Sequence, residues 1–322
     1  MTSRARLADD AARLIALDWG TSALRAYLLG DDGVVLDERS EPWGIMQLPE
    51  GEFVAAFREV TGRWLAAAPE LRALASGMVG SAQGWVEAPY CAAPAGVREL
   101  ARSLVSVADE PLSIVPGVSQ SGERPDVMRG EETQIVGVVE RHPELAKDSL
   151  LVLPGTHSKW VHVREGRAER LTTFLTGELF AVLSTSSILG RFARDAANPP
   201  DAAAATDAFA RGVLAARASA AGVTPLLFSV RALVLAGKLA AESSLEYLSG
   251  LLVGDELRCG LAAGEVPRAL VGDAVLCARY TAAFGLFGIH GVPMVEHTAP
   301  AGLWAIAVHA NLIRPTPRRV VA

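Results

Sequence analysis

"LIALDWGTSALRAYLL" (Leu14–Leu29) sets two apolar runs on either side of Asp18, Gly20, Thr21 and Ser22. Short apolar runs broken by a glycine turn read as strands, here from Arg13 to Asp18 and from Leu24 to Leu29. An acid at the end of a buried strand is expensive to desolvate. The turn has no need of it, so a cation is expected against Asp18. The alternative is an aspartate that only caps the turn. "GDDG" (Gly30–Gly33) then reads as a hairpin turn into "VVLDE", which makes three consecutive antiparallel strands.

Further along, Phe53, Ala56, Phe57, Val60 and Trp64 fall on one face of a helix from Glu52 to Ala67. "RALASGMVGSAQGW" reads as a short strand opening into a glycine-rich loop. A helix from Val97 to Val107 and a strand at "LSIVPG" complete an α/β unit of ordinary domain size. "SQSGERPD" (Ser119–Asp126) is polar and turn-prone, the best candidate for a linker. After a helix at Glu131 to Glu140, "LLVLPGTHSKWVHV" repeats the opening plan with Gly155 and Thr156, carrying Leu153 where the first copy has Asp18. Two such copies point to two domains built alike, unless both hairpins use Gly-Thr by chance. Residues 177–264 read as mostly helical, broken at "NPPD" with Asp201 as a helix cap. Strand "RALVG", a helix from Asp273 to Leu286, strand "VPMVE" and a last helix from Ala301 close the chain.

Composition narrows the function. The chain has 322 residues, half of them hydrophobic, and a net charge of −6, with no basic stripe for nucleic acid. The three cysteines, Cys91, Cys259 and Cys277, lack metal-ligand spacing and fit buried thiols in a reducing cytoplasm. Met1 to Ala12 lacks a signal-peptide apolar core and reads as a ragged terminus. Charges interrupt the later apolar stretches too often for a membrane span. Neither a membrane nor a nucleic-acid partner is expected; a homodimer is left open.

A Gly-Thr-Ser hairpin turns backbone N–H groups and hydroxyls outward, which suits phosphate oxygens. Asp18 then has a purpose: it can hold a hydrated Mg²⁺ beside a nucleotide, with Gly155 and Thr156 as a second phosphate clamp. "VMRGEETQIVG" places Glu131 and Glu132 where a loop enters a helix, after Arg129. Phosphoryl transfer to an alcohol needs such a carboxylate near the attacking hydroxyl, although helix starts favour acids in any case. The loop "ASGMVGSAQGWVEAPY" offers close backbone approach and Trp85 as an aromatic cover for a polyhydroxy substrate, or it is an ordinary connector. Gly272, between a strand and a helix, suits an adenine on weaker grounds.

Together, "DWGTSALR", "RGEETQ" and "PGTHSKW" resemble the sugar-kinase branch of the actin, hexokinase and heat-shock-chaperone (ASKHA) ATPases. More narrowly, "ALDWGTSALRAYL", "GMVGSAQGW", "VMRGEETQ", "PGTHSKW", "TGELF" and "YLSGLLVGDEL" resemble the 2-dehydro-3-deoxygalactonokinase family, in the same order and from about Leu14 to the C-terminus. The resemblance implies an α/β fold of two actin-like, ribonuclease H-like domains with a cleft between them, over 1–122 and 123–322, the second carrying the helical insertion 177–264. It implies a cytoplasmic kinase using ATP and Mg²⁺ to make the 6-phosphate of 2-dehydro-3-deoxy-D-galactonate in D-galactonate catabolism. Carried onto this sequence, Asp18 is the metal-linked acid and Gly20, Thr21 and Ser22 the first phosphate loop. Gly155, Thr156 and His157 form the second loop, and Gly272 lies at the adenosine. Glu131 matches the catalytic base, where many sugar kinases have Asp, and Glu132 stays open as its substitute. Candidates for gripping the substrate and its carboxylate are Arg25, Arg129, Gly77, Met78, Ser81 and Trp85. Rival readings are a kinase for another 2-keto-3-deoxy or aldonic acid, an actin-like or chaperone-like ATPase without a sugar substrate, and a non-catalytic sugar sensor.

Overall fold

Alternating hydrophobic strands and amphipathic helices build the chain seen in a computed structural model, which describes residues 12–48, 52–196 and 198–314. In chain order the first elements are β1 (Leu14–Trp19), β2 (Leu24–Leu29), β3 (Val35–Glu41), α1 (Phe53–Ala67), β4 (Arg72–Ser76), β5 (Tyr90–Ala92), β6 (Ala95–Gly96) and α2 (Val97–Arg102). Next come β7 (Val105–Ser106), β8 (Leu112–Ile114), β9 (Gly117–Gln120), β10 (Asp126–Met128), α3 (Glu131–Arg141), β11 (Asp148–Leu153), β12 (Ser158–Arg164) and β13 (Arg167–Phe174). The helical stretch follows as α4 (Thr176–Ser186), α5 (Arg191–Asp195), α6 (Ala202–Ala218), α7 (Ser229–Leu235) and α8 (Ser244–Gly260). The chain closes with β14 (Ala269–Val271), α9 (Ala274–Leu286), β15 (Met294–Val295) and α10 (Thr298–His309). The ragged terminus read at Met1 to Ala12 lies outside the described residues, Ala12 excepted.

Contacts divide the chain into two units: residues 1–149, 161–171 and 297–322 form the first, and 150–160 with 172–296 the second. In unit 1 the sheet order is β3-β2-β1-β4-β8-β7. The first three strands are antiparallel, while β4 runs parallel to β1 and β8 parallel to β4. That is the ribonuclease H-like plan which the family resemblance implies, opening with the three antiparallel strands read from the sequence. Its core gathers Ile15, Leu17, Trp19, Phe57, Val60, Trp64 and Ile114, all at most 3% exposed. In unit 2, β11, β14 and β15 pair in parallel. The helices of residues 177–264 pack a second cluster around Leu248, Leu251 and Val230.

Three expectations change. Ser119–Asp126 is no linker: β9 and β10 pair antiparallel, Gln120 opposite Asp126, so its polar residues form a hairpin loop inside unit 1. The division by contacts therefore differs from one at residue 122. The helix expected to reach Val107 stops at Arg102, because Val105 pairs with Ile114 and Val107 N–H reaches the Leu112 carbonyl at 2.9 Å, extending the sheet. β-branched residues favour that choice. The last helix begins at Thr298, not Ala301, since Pro300 fits the first turn, where no N–H is required. Asp201 does cap α6, accepting from Ala204 N at 2.8 Å.

Candidate functional site

Unit 1 ends β1 on Trp19, with Asp18 opposite Arg25 of β2 and beside Ser76 of β4. The Arg25 guanidinium lies 3.6 Å from the Asp18 carboxylate, whose side chain is 21% exposed. Burial raises the Asp18 pKa, and the charge and hydrogen bond of Arg25 pull part of the way back. A cation thus does face Asp18 from within the chain, held loosely. Arg25 is paired with this acid.

The turn after β1 is closed by Gly20 N–H on the Ala23 carbonyl at 2.9 Å. The sequence reading missed its brace. Ile45 N–H donates to the Gly20 carbonyl and Met46 N–H to the Thr21 carbonyl, both at 3.1 Å. Trp19 Nε1 donates to the Trp43 carbonyl at 2.8 Å. A β-carbon on Gly44 would stand 2.2 Å from Ser22 N and from the Thr21 carbonyl oxygen, so only glycine lets this loop lie against the turn. With its carbonyls occupied, the turn leaves Thr21 and Ser22 exposed. The one signal in the sequence was "PWGIM", an apolar coil with a glycine at its centre.

The strand ends and the acid-bearing helix meet through two more glycines. Gly77 (φ +95°) has room for no β-carbon, which would fall 2.7 Å from the Trp19 carbonyl; Gly130 (φ +110°) would place one 3.3 Å from Gly77 Cα. The end of β1, the end of β4 and the start of α3 are therefore stacked in van der Waals contact. Glu131 is the first residue of α3, half-buried, and its carboxylate accepts Arg129 N–H at 3.0 Å. Glu132 is 2% exposed, and its two oxygens both accept Gly130 N–H, at 2.9 and 2.7 Å. Burial first, then the Glu131 charge, push the Glu132 carboxyl up to about 8, so it is largely protonated at neutral pH. Adjacent helical residues point about 100° apart. The second acid closes the helix start while the first stays reachable.

Around them sit the other candidates of unit 1. Arg129 lies over the Tyr90 ring at 4.3 Å and donates from Nη2 to the Ala88 carbonyl at 2.8 Å. Its Nε and Nη1 are buried without a hydrogen-bond partner, as are the hydroxyls of Ser76 and Ser81. Buried polar groups are rarely left so, and a ligand with acceptor oxygens is one way to complete them. Met78 is half-buried on the unit 1 core. Trp85 stacks on Phe53 (6.1 Å, 15°) and meets Trp19 edge-on, so one of its faces already serves that core.

In unit 2, Thr156 and His157 are exposed on the turn between β11 and β12. The start of α4, the "TGELF" segment, holds this turn. Glu178 N–H donates to the Thr156 carbonyl at 3.0 Å, His157 pairs with the Glu178 carboxylate, and Gly177 packs so closely that a β-carbon would stand 2.6 Å from the Gly155 carbonyl. Gly155 and Thr156 open onto a cavity of about 540 Å³, walled by Phe180, Leu252, Val253, Val275 and Leu276 and made polar by Glu246, Ser249 and Arg279. That size and mixed lining suit a nucleoside. Arg279 bonds Glu246 and Ser249 Oγ and lies 4.4 Å over the Phe209 ring. Gly272 (φ +139°) is not in the lining. It turns the chain so that Asp273 can cap α9 through Val275 N and Leu276 N, and Asp273, Val275 and Leu276 are lining residues.

Sequence reasoning missed the α8 residues Glu246, Ser249 and Glu256. Their signal was polar side chains at helical spacing in the apolar run "SLEYLSGLLVGDEL". Among the described residues no three His, Cys, Asp or Glu side chains gather as a metal cluster, and no helix is long and apolar enough to cross a membrane.

The chain is similar to known proteins over most of its length. Residues 18–306 match the family described as 2-keto-3-deoxy-galactonokinase. The chain is 37% identical over 300 residues to the 2-dehydro-3-deoxygalactonokinase of Escherichia coli, covering 92% of this chain and 98% of that protein. It is 38% identical over 301 residues to a Rhizobium meliloti protein named as a probable 2-dehydro-3-deoxygalactonokinase, covering 91% and 95%. A solved structure of a protein from Sinorhizobium meliloti described as a putative 2-dehydro-3-deoxygalactonokinase superposes with a TM-score of 0.81 at 36% identity, covering 92% of this chain and 98% of that one.

Proposed function

The chain belongs to the 2-keto-3-deoxy-galactonokinase family, and from that premise we propose that it transfers the γ-phosphoryl group of ATP to the terminal hydroxyl of 2-dehydro-3-deoxy-D-galactonate. The product is the 6-phosphate, formed in the cytoplasm during D-galactonate catabolism. Three free cysteines suit that compartment.

The observation that carries the reading is the glycine stack of unit 1, which sets the Asp18 strand end and the Glu131 helix start against one another through Gly77. Glu131 accepts the proton of the primary hydroxyl as its oxygen bonds to the γ-phosphorus and the bond to the β-phosphate bridge breaks, releasing ADP. The buried N–H groups of Arg129, the Ser81 hydroxyl and the backbone at Gly77 and Met78 take the sugar acid's carboxylate and hydroxyls. Thr21 and Ser22 in unit 1, and Gly155, Thr156 and His157 in unit 2, supply phosphate donors. The unit 2 cavity takes the adenosine.

The donor set fits Mg²⁺, which needs only one or two carboxylates when phosphates and waters complete its shell. Asp18, partly exposed at the strand end that leads into the turn bearing Thr21 and Ser22, meets that need. Asp18 would hold the ion, whose charge would neutralise that of the phosphate oxygens. A panel of 2-keto-3-deoxy acids, aldonic acids and neutral sugars assayed with ATP and Mg²⁺ tests the proposal. Turnover greatest with 2-dehydro-3-deoxy-D-galactonate is expected. ATP hydrolysis indifferent to any sugar acid would instead favour an actin-like or chaperone-like ATPase.

A further inference from the structure

Glu256 of α8 is 2% exposed, and it takes no part in the chemistry above. Its Oε1 accepts Ser158 Oγ at 2.6 Å and Trp160 Nε1 at 2.8 Å, and its Oε2 accepts Tyr280 OH at 2.6 Å and Thr176 Oγ1. Among the described residues no lysine or arginine pairs with it. A buried carboxylate tolerates such a place only when its lone pairs are filled, and here four donors fill them. They come from β12, α4 and α9, so one side chain on α8 ties down three other elements.

Those elements frame the cavity of unit 2. Thr176 and Tyr280 line it directly. Thr176 also precedes Gly177 and Glu178, which press on the Gly155 carbonyl and bond the Thr156 carbonyl. Ser158 begins the strand that leaves the same turn. A shift of the carboxylate therefore displaces the phosphate-facing turn and two cavity walls together.

We infer that Glu256 is a positioning residue for the nucleotide: it fixes the Gly155–Thr156 turn against the Thr176 and Tyr280 walls without touching the ligand. This rests on the reading that unit 2 binds ATP. A residue that merely supports the fold lowers stability alone; a positioning residue also moves nucleotide constants and leaves those of the sugar acid in place.

The test compares wild type, Glu256→Gln, Tyr280→Phe and Thr61→Val. Thr61 is a control: a fully buried hydroxyl of unit 1 bonded to the Phe57 carbonyl. The readouts are ADP affinity by calorimetry, KM for ATP, KM for 2-dehydro-3-deoxy-D-galactonate, and Tm. Glu256→Gln keeps the shape but its amide nitrogen cannot accept two donors. It should weaken ADP binding and raise KM for ATP by ~10-fold, the loss expected for a hydrogen bond to a charged group. KM for the sugar acid should stay within about twofold. Tyr280→Phe should move the nucleotide constants the same way by about threefold, and it carries the test if Glu256→Gln does not fold. Thr61→Val should lower Tm only. Wild type binding ADP while Glu256→Gln and Tyr280→Phe bind it equally well overturns the inference alone. Wild type that binds no ADP overturns both it and the nucleotide reading of unit 2.

Discussion

The two Gly-Thr turns follow the same plan and stand in different surroundings. Each ends a buried strand, but two residues before the glycine the first has Asp18 and the second Leu153, which is 3% exposed. The first turn is braced by a coil, Trp43–Met46, through two main-chain hydrogen bonds. The second is braced by the start of a helix and, behind it, by a buried carboxylate with four donors. Around the first lie reachable acids; around the second lies a cavity of nucleoside size. The dipeptide thus supplies only a backbone shape. On the proposed reading, what stands before and behind it decides whether the turn serves the chemistry or the binding.

The largest effect that could break this contrast is at Glu131. Glu131→Gln should lower kcat by ~10³-fold, within the range for loss of a general base, while ADP affinity stays near wild type. Glu132→Gln should keep most of the turnover. Steady-state kinetics with calorimetry would decide; a variant that loses ADP binding and keeps kcat would make unit 1 a holding element. Next is the pair at the strand ends. Asp18→Asn should lower kcat by ~10²-fold, the order of one lost electrostatic contact, with little change in Tm. Leu153→Ala should do the reverse, costing ~2–5 kcal/mol of stability in a denaturant titration with nearly normal turnover per folded molecule.

The braces give a smaller effect. A β-carbon at Gly44 or Gly177 meets backbone atoms that cannot swing away, so each alanine variant should cost ~1–3 kcal/mol. Gly44→Ala should lower kcat by ~10-fold and Gly177→Ala should raise KM for ATP by about as much, each converted from part of that strain. If both variants shift the same constant, the two turns are not specialised.

How much of this arrangement was legible in the sequence follows from the range of the forces involved. Strands β1, β2 and β3, the helix at Glu131 and the Asp201 cap depend on local pattern and turn chemistry, and all were legible. The placement of the first acid of each motif was legible too: Asp18 stands at a strand end and Glu131 at a helix start. The braces were not. Gly44 matters only because a distant turn lies 2.2 Å from its missing β-carbon, and Glu256 only because donors from residues 158, 160, 176 and 280 converge on it. Polar "SQSGERPD" misled for the same reason: its flanks pair with each other as strands, a partnership no composition reveals.

The smallest effect concerns which of two neighbouring acids keeps its proton. The Glu132 carboxyl, ordinarily near 4.5, is pushed to about 8 in the fold. Between those values the native state holds a proton that the unfolded chain has lost, so stability must fall as pH rises, by at most ~1.4 kcal/mol per pH unit. The full benefit is present below the unfolded value and is gone once pH passes the folded one. Asp18, also raised by burial, contributes in the same direction in any variant that retains it. The difference between wild type and Glu132→Gln therefore isolates Glu132. Urea titrations at pH 5.5, 6.5 and 7.5 should give wild type the steeper decline. Parallel lines would mean that Glu132 is ionised in the native state. A difference in pKa would then no longer separate the two acids, and the choice of base would rest on reach, which favours half-buried Glu131 over Glu132 at 2% exposed.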